Sequence, residues 1–347
     1  MNIYRHSTPF VLESGEILQD LTIAYYTYGS MNADKSNVVW VCHALTANAD
    51  AADWWNGVVG NNHVIDPDRY FIVCANIIGS CYGSTGPLSI NPTTGNPYYS
   101  TFPTITIRDM VRAHILLREH LLINKIFLLM GGSMGGYQAL EWSLTEPDTI
   151  QQLFLLATSA TESAWGIAIH TAQRLAIEAD GTWGQPTPTA AAKGLKAARA
   201  IGMLTYRNYS IMVQQQTDHD HQKISNFKAS AYIQYQGDKL VNRFNAYSYF
   251  ALTQSMDTHN IARNKSEQVE NELKKIYQRT LIIGISSDIL CPLIEQQFIA
   301  KNIPNSNLIV IDSNYGHDGF MVESALISQH LSEWLGNDYS LGYGASI

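Results

Sequence analysis

Short, unbroken apolar runs punctuate the first half of the chain. Leu21–Tyr28, Asn37–His43, Tyr70–Asn76, Ile126–Met130 and Gln152–Ala157 each read as a strand. A run that is apolar at every position, not at alternate ones, means a strand covered on both faces. Among them, Ile107–His120 repeats its apolar residues at helical spacing. Strands alternating with helices predict an α/β protein with a mostly parallel sheet and helices on both faces. After residue 160 the strand rhythm stops. Ala168–Asp180, Ala190–Met203 and Asp238–Met256 read as helices, divided by Gly181–Pro188 and by the polar stretch Gln214–Lys223. Strands resume at Thr280–Ser286 and Asn307–Asp312, and a helix over Ser324–Leu335 closes the pattern. The predicted organisation is a core of residues 1–160 and 269–347 with a helical lid of 161–268 inserted between two strands. Such an insertion sits above the C-terminal strand ends, the edge where open α/β sheets place ligands. The tail after Leu335 is short and Gly-rich and suggests no functional element.

Composition narrows the classes. The chain has 347 residues, enough for a sizeable core, and 46% of them are hydrophobic, which argues against wholesale disorder. A formal net charge of −8 disfavours a nucleic-acid binder, which carries a basic stripe. No N-terminal basic-then-apolar segment suggests a signal peptide, and no apolar run reaches spanning length. Cys42, Cys74, Cys81 and Cys291 lack C-x-x-C spacing, and two of them lie in apparent buried strands, so they read as reduced core thiols. The expectation is a soluble cytoplasmic protein.

The densest chemical signal is Gly131-Gly132-Ser133-Met134-Gly135, directly after the strand ending at Met130. A buried strand here turns sharply into a helix with serine at the apex, and small residues on either side allow strand and helix to approach closely. Tyr137, Leu140, Glu141 and Leu144 keep helical spacing downstream, and Pro147 limits the helix. The turn lacks the G-x-G-x-x-G order of dinucleotide folds, and no phosphate-binding G-x-x-x-x-G-K-[ST] occurs. Ser133 is therefore a candidate nucleophile.

An activated serine needs a base, and the base an orienting acid, in the chain order Ser, Asp or Glu, His. Asp288 follows the strand Thr280–Ser286, and His317 lies in the loop after Asn307–Asp312. Asp312 and Asp318 compete with Asp288, but both adjoin the histidine's own strand and loop, whereas Asp288 comes from a separate strand end. The oxyanion hole requires two backbone N–H donors. Met134 supplies one and Leu45, in the loop after the strand Val38–Val41, the other. His43 beside it reads as a satisfied buried histidine. His219 and His221 lie in a polar segment without further ligand spacing, so they read as a solvated loop and no metal site is expected.

Longer blocks carry a resemblance. They are Val41-Cys42-His43-Ala44-Leu45-Thr46 with Trp54-Trp55, the stretch Asn76–Pro87, Gly131–Gly136 running into Gln138-Ala139-Leu140-Glu141-Trp142, and Tyr315-Gly316-His317-Asp318. In these the chain resembles, over nearly its whole length, the homoserine O-acetyltransferases of the α/β-hydrolase fold, enzymes of methionine biosynthesis. The resemblance implies ping-pong chemistry. Acetyl-CoA acylates Ser133, CoA leaves, and the homoserine hydroxyl, deprotonated by His317, attacks the acyl-enzyme. It further implies Arg199 for the acceptor carboxylate, Asp318 for its amine, a homodimer built through the lid helices, and no cofactor beyond the acetyl-CoA co-substrate. An arginine fork and an acidic neighbour suit those two groups chemically. Tyr206, Arg207 and Arg243 are weaker candidates to line the tunnel, and Tyr137 stands where many relatives carry methionine, a change of packing. A succinyl donor or serine acceptor on the same scaffold, a serine esterase or hydrolase, and a non-catalytic relative stay open beside this reading.

Overall fold

The computed structural model describes residues 1–265 and 268–336; the Gly-rich tail lies outside them apart from its first residue. Among the described residues ten strands occur in chain order: β1 (Asn2–His6), β2 (Phe10–Val11), β3 (Ile17–Leu18), β4 (Leu21–Tyr28), β5 (Val38–Cys42), β6 (Phe71–Ala75), β7 (Ile126–Gly132), β8 (Ile150–Leu156), β9 (Arg279–Ile285) and β10 (Ser306–Ile311). β2 and β3 form a separate hairpin, and the other eight make one sheet in the order β1-β4-β6-β5-β7-β8-β9-β10. β4 is antiparallel to both neighbours, and every pair from β6 to β10 is parallel.

Apolar runs located the sheet well. The predicted strands differ from those observed by at most two residues at either end, and the helices Ile107–His120 and Ser324–Leu335 have the predicted bounds. Ile107–His120 begins with a capping box, in which Thr106 and Asp109 each accept from the other's backbone N–H. β1 was not expected, because an edge strand of mostly exposed residues carries no apolar run.

Residues of β5 are all fully buried, and the pleat sends them alternately to two cores. Trp40 packs with Trp142 and Leu129 on one face, and Val39 and Val41 pack with Trp55, Phe154 and Leu331 on the other. Each fully buried side chain of this size contributes about 1.5–3 kcal/mol, so the central strands that carry the site are its firmest part.

Between β8 and β9 the described residues form helices over Ala164–Glu178, Ala192–Tyr206, Tyr209–Gln216, Lys228–Val241 and Ala246–Asp257, followed by a short helix at Val269–Leu273. The single helix expected over Asp238–Met256 is two. The first ends at Val241, and Asn245, whose side chain accepts from the Ser248 N–H, starts the second. Part of the expected polar stretch, up to Gln216, belongs to the helix Tyr209–Gln216. The helical segment leaves and rejoins the core through a paired neck. Glu162 N–H donates to His259 O at 2.8 Å and Ile261 N–H to Ala160 O at 3.2 Å.

Candidate active site

Ser133 follows β7 and caps the helix Met134–Thr145 with φ 53° and ψ −128°. A non-glycine residue in this region costs about 1–3 kcal/mol, and the surroundings hold it there. Its N–H donates to Leu156 O at 2.9 Å, and its carbonyl accepts from Gly136 N–H and Thr158 Oγ1, each at 2.8 Å. The glycines two positions away are required by close approach. A Cβ on Gly131 would lie 2.2 Å from Gly135 O, and one on Gly135 2.1 Å from Cys42 O.

The three residues expected to act together meet. His317 Nε2 is 2.9 Å from Ser133 Oγ, and its Nδ1 is 2.7 Å from Asp288 Oδ2. The other Asp288 oxygen accepts from Leu290 and Cys291 N–H at 2.8 and 3.0 Å, which fixes the carboxylate plane. Burial works against a charged His317, but the Asp288 carboxylate, helped by Asp318 and Glu162, outweighs it and raises the imidazole above its ordinary value. The rival carboxylates are occupied elsewhere. Asp312 accepts from Ser286 Oγ at 2.8 Å, and Asp318 pairs with Arg207, whose Nε is 2.7 Å from Asp318 Oδ2. Gly316, at φ +64°, lets the histidine loop pass beneath the lid, since a Cβ there would lie 2.9 Å from Tyr206 O and Asn208 N.

Met134 opens its helix, so its N–H has no acceptor within that helix. Leu45 lines the same cavity as Ser133. The two donor segments are tied together, for Gln138 Nε2 donates to His43 O at 3.1 Å and Met134 O at 3.2 Å. His43 is buried and satisfied as expected. Its Nδ1 meets Ala44 O at 2.9 Å, its Nε2 accepts from Ile77 N–H at 3.1 Å, and burial lowers its pKa to about 4.

A cavity of about 370 Å³ separates the strand ends from the lid, and Ser133, His317, Asp318, Arg199, Tyr206 and Arg243 all line it. Arg199 has a cation–π contact with the Tyr206 ring at 5.1 Å, and its Nε has no hydrogen-bond partner. Among the described residues no carboxylate lies within ion-pair distance of Arg199. Burial pushes the Asp318 carboxyl up, opposed by Arg207, Arg199 and His317. Arg207 thus reaches the site through Asp318 and stacks near Tyr315 at 5.8 Å.

Arg243 does more than line the cavity. Its guanidinium donates to Thr46 O at 2.5 Å, to Tyr82 Oη at 2.6 Å and to Thr46 Oγ1 at 3.3 Å, clamping the Leu45 loop to the lid. That contact spans nearly two hundred residues, and the bond from Gln138 to His43 spans 95, so neither leaves a local signal in sequence. Tyr137 packs on His259, with ring centroids 3.9 Å apart, and donates to Glu162 at 3.0 Å. His219 and His221 are exposed, and among the described residues no cluster of three His, Cys, Asp or Glu is placed to hold an ion. All four cysteines are free thiols, three of them buried.

The family model for the alpha/beta hydrolase fold matches residues 37–324. Two solved structures superpose equally well, each at a TM-score of 0.88 and 22% identity. One is a homoserine O-acetyltransferase from Bacillus anthracis, covering 98% of this chain and 99% of its own. The other is an esterase E22 mutant, covering 97% and 99%. At that identity the likeness shows the fold alone, and the same fold serves both names. Sequence separates them. The homoserine O-acetyltransferase of Cyclobacterium marinum is 46% identical over 312 residues, covering 90% of this chain and 88% of the relative. The chain belongs to the homoserine O-acetyltransferase family of the alpha/beta hydrolase fold.

Proposed function

We propose that the protein is an L-homoserine O-acetyltransferase that works through an acetyl-Ser133 intermediate. The observation that carries the reading is a hydrogen-bonded Ser133–His317–Asp288 chain facing a cavity that also holds the unpaired Arg199 guanidinium. His317 takes the Ser133 proton as Oγ attacks the thioester carbonyl of acetyl-CoA, and the Leu45 and Met134 N–H groups receive the oxyanion. The C–S bond breaks, CoA leaves with the proton, and acetyl remains on Ser133. In the second half, His317 removes the proton of the homoserine hydroxyl, whose oxygen attacks the acyl carbonyl and frees Ser133. Asp288 holds the imidazole in the tautomer that exposes Nε2 to the serine. Arg199 takes the homoserine carboxylate and Asp318 its ammonium. The transfer balances with thioester, hydroxyl and proton alone, so this reading includes no metal or cofactor.

A serine esterase on the same scaffold differs only in the acceptor, and a succinyltransferase only in the donor. An apolar-ester hydrolase has no need of an arginine beside the nucleophile, which favours an amino-acid acceptor. The test is a panel of acetyl-CoA against succinyl-CoA, with homoserine, serine or water as acceptor, following CoA release. The reading expects a single burst with acetyl-CoA alone and turnover when homoserine is added. Sustained CoA release in water overturns it.

We also read the protein as a cytoplasmic homodimer joined through the lid, and place it in methionine biosynthesis. Leu204, Tyr209, Phe227 and Tyr235 on lid elements are exposed, and among the described residues no helix is long and apolar enough to cross a membrane. Sedimentation of the purified protein at the mass of one chain would overturn the dimer.

A further inference from the structure

Gln173 sits on the helix Ala164–Glu178 and lines the cavity above Ser133. It is 1% exposed, and its Oε1 has no hydrogen-bond partner. Buried side-chain polar groups are normally paired, and an orphan in a cavity wall marks a bond that a ligand supplies. The side chain is held by packing. It packs against the helix Ala192–Tyr206 at Gly202, where an added Cβ would lie 3.1 Å from Gln173 Nε2 and 3.3 Å from the Tyr206 ring. Gly202 is one turn beyond Arg199, so the amide lies next to the helix turn that carries the unpaired guanidinium.

Asp318 alone does not satisfy an ammonium group. One of its oxygens is already ion-paired with the Arg207 guanidinium, Nε lying at 2.7 Å, whereas an ammonium presents three N–H donors. We propose that Gln173 is a further specificity-determining residue for the acceptor, its amide oxygen taking an N–H of the α-ammonium alongside Asp318. The inference rests on the acetyltransferase reading and deepens it. Arg199 reads the carboxylate, Asp318 the charge of the ammonium, and Gln173 its second hydrogen-bond direction. Together they select an α-amino acid over a simple alcohol.

Two variants test it. Gln173→Met removes both polar atoms at similar size, and Gln173→Glu keeps an oxygen at the same reach. The measurements are the homoserine KM, the CoA burst with acetyl-CoA alone, and turnover with γ-hydroxybutyrate, an acceptor that keeps the hydroxyl and carboxylate but lacks the ammonium. Gln173→Met is expected to raise the homoserine KM about tenfold, to leave the burst intact, and to leave γ-hydroxybutyrate turnover as it was. Gln173→Glu is expected to restore most homoserine use. An unchanged homoserine KM in Gln173→Met, or an equal loss with γ-hydroxybutyrate or in the burst, overturns the anchor alone. No acetylation of homoserine by the unmodified enzyme overturns the acetyltransferase reading and the anchor with it.

Discussion

The sheet-borne half of the site and the lid-borne half treat polar atoms in opposite ways. On the sheet side Ser133, Asp288 and His317 are each held by at least two hydrogen bonds, and the oxyanion segments are tied by Gln138. On the lid side Arg199 and Gln173 line the same cavity, and Arg199 Nε and Gln173 Oε1 have no hydrogen-bond partner. A satisfied group is fixed before the substrate arrives, which is what electrostatic preorganisation needs. An unsatisfied one waits for the substrate and discriminates by what it leaves unpaired. On the proposed reading the core carries the chemistry and the lid the choice of acceptor.

The comparison breaks first at Ser133. Ser133→Ala should lower both half-reactions by at least about a thousandfold and leave the unfolding midpoint where it was, since only a hydroxyl is lost. Steady-state CoA release and thermal unfolding check this, and retained turnover would remove the core from the chemistry. Asp288→Asn should cost about a thousandfold or more, because the imidazole loses the carboxylate that fixes its tautomer. Its pH profile is the sharper reading. His317 must be neutral to act as base, so activity falls as pH drops through its pKa. Asp288 holds that pKa above the ordinary ~6.5, and without the carboxylate burial dominates. The acid limb of kcat/KM should then move below ~6.5 in the variant. By the same linkage, the pair's contribution to stability is full below ~6.5 and is lost as pH rises through the His317 pKa.

On the lid side the loss should be selective. Arg199→Ala removes a charge-assisted, forked contact and should cut kcat/KM for homoserine by about a hundredfold, with the acetyl-CoA burst unchanged. A burst lowered in proportion would place Arg199 in the chemistry and erase the division between the two halves.

The same division explains what was legible in the sequence. Sheet and nucleophile turn follow from local patterns. Unbroken apolar runs mark β5 to β9, and Gly131 and Gly135 mark a close approach that excludes a Cβ. Asp288 and His317 follow from triad order and their places at two strand ends. The lid was blurred because its helices are set by packing against one another. Asn245 is a capping type, but no Gly or Pro interrupts Asp238–Met256, so its spacing reads as one helix. The pairing of Arg207 with Asp318 and the Arg243 clamp on Thr46 join residues 111 and 197 apart, and no spacing rule reaches that far. Orphaned atoms such as Gln173 Oε1 are defined by what fails to touch them, which only coordinates reveal.

Some orphans lie on the core side of this division, Trp40 Nε1 and Gln138 Oε1 among them, and His114 supplies the smallest, most exacting prediction. His114 is fully buried under the sheet between Trp40 and Trp142, with neither ring nitrogen partnered. It does not line the cavity, so no substrate is there to satisfy it. If orphans serve selectivity only where they face the cavity, this one is a plain loss. Burial, with His43 nearby, depresses its pKa to about 3. The unfolded chain then takes up the proton first, so stability falls as pH drops below ~6.5 towards the folded value, by about 2 kcal/mol between pH 7 and 5 for one such histidine. His43 and His259, lowered to about 4 and about 3, add to the same loss. His114→Phe should leave homoserine acetylation unchanged, raise stability by about 1 kcal/mol at pH 7, and by roughly 2 kcal/mol more at pH 5. Urea unfolding at the two pH values measures both gains. A variant that loses activity, or gains equally at both pH values, would mean that the orphans of the core are not separable from those of the lid.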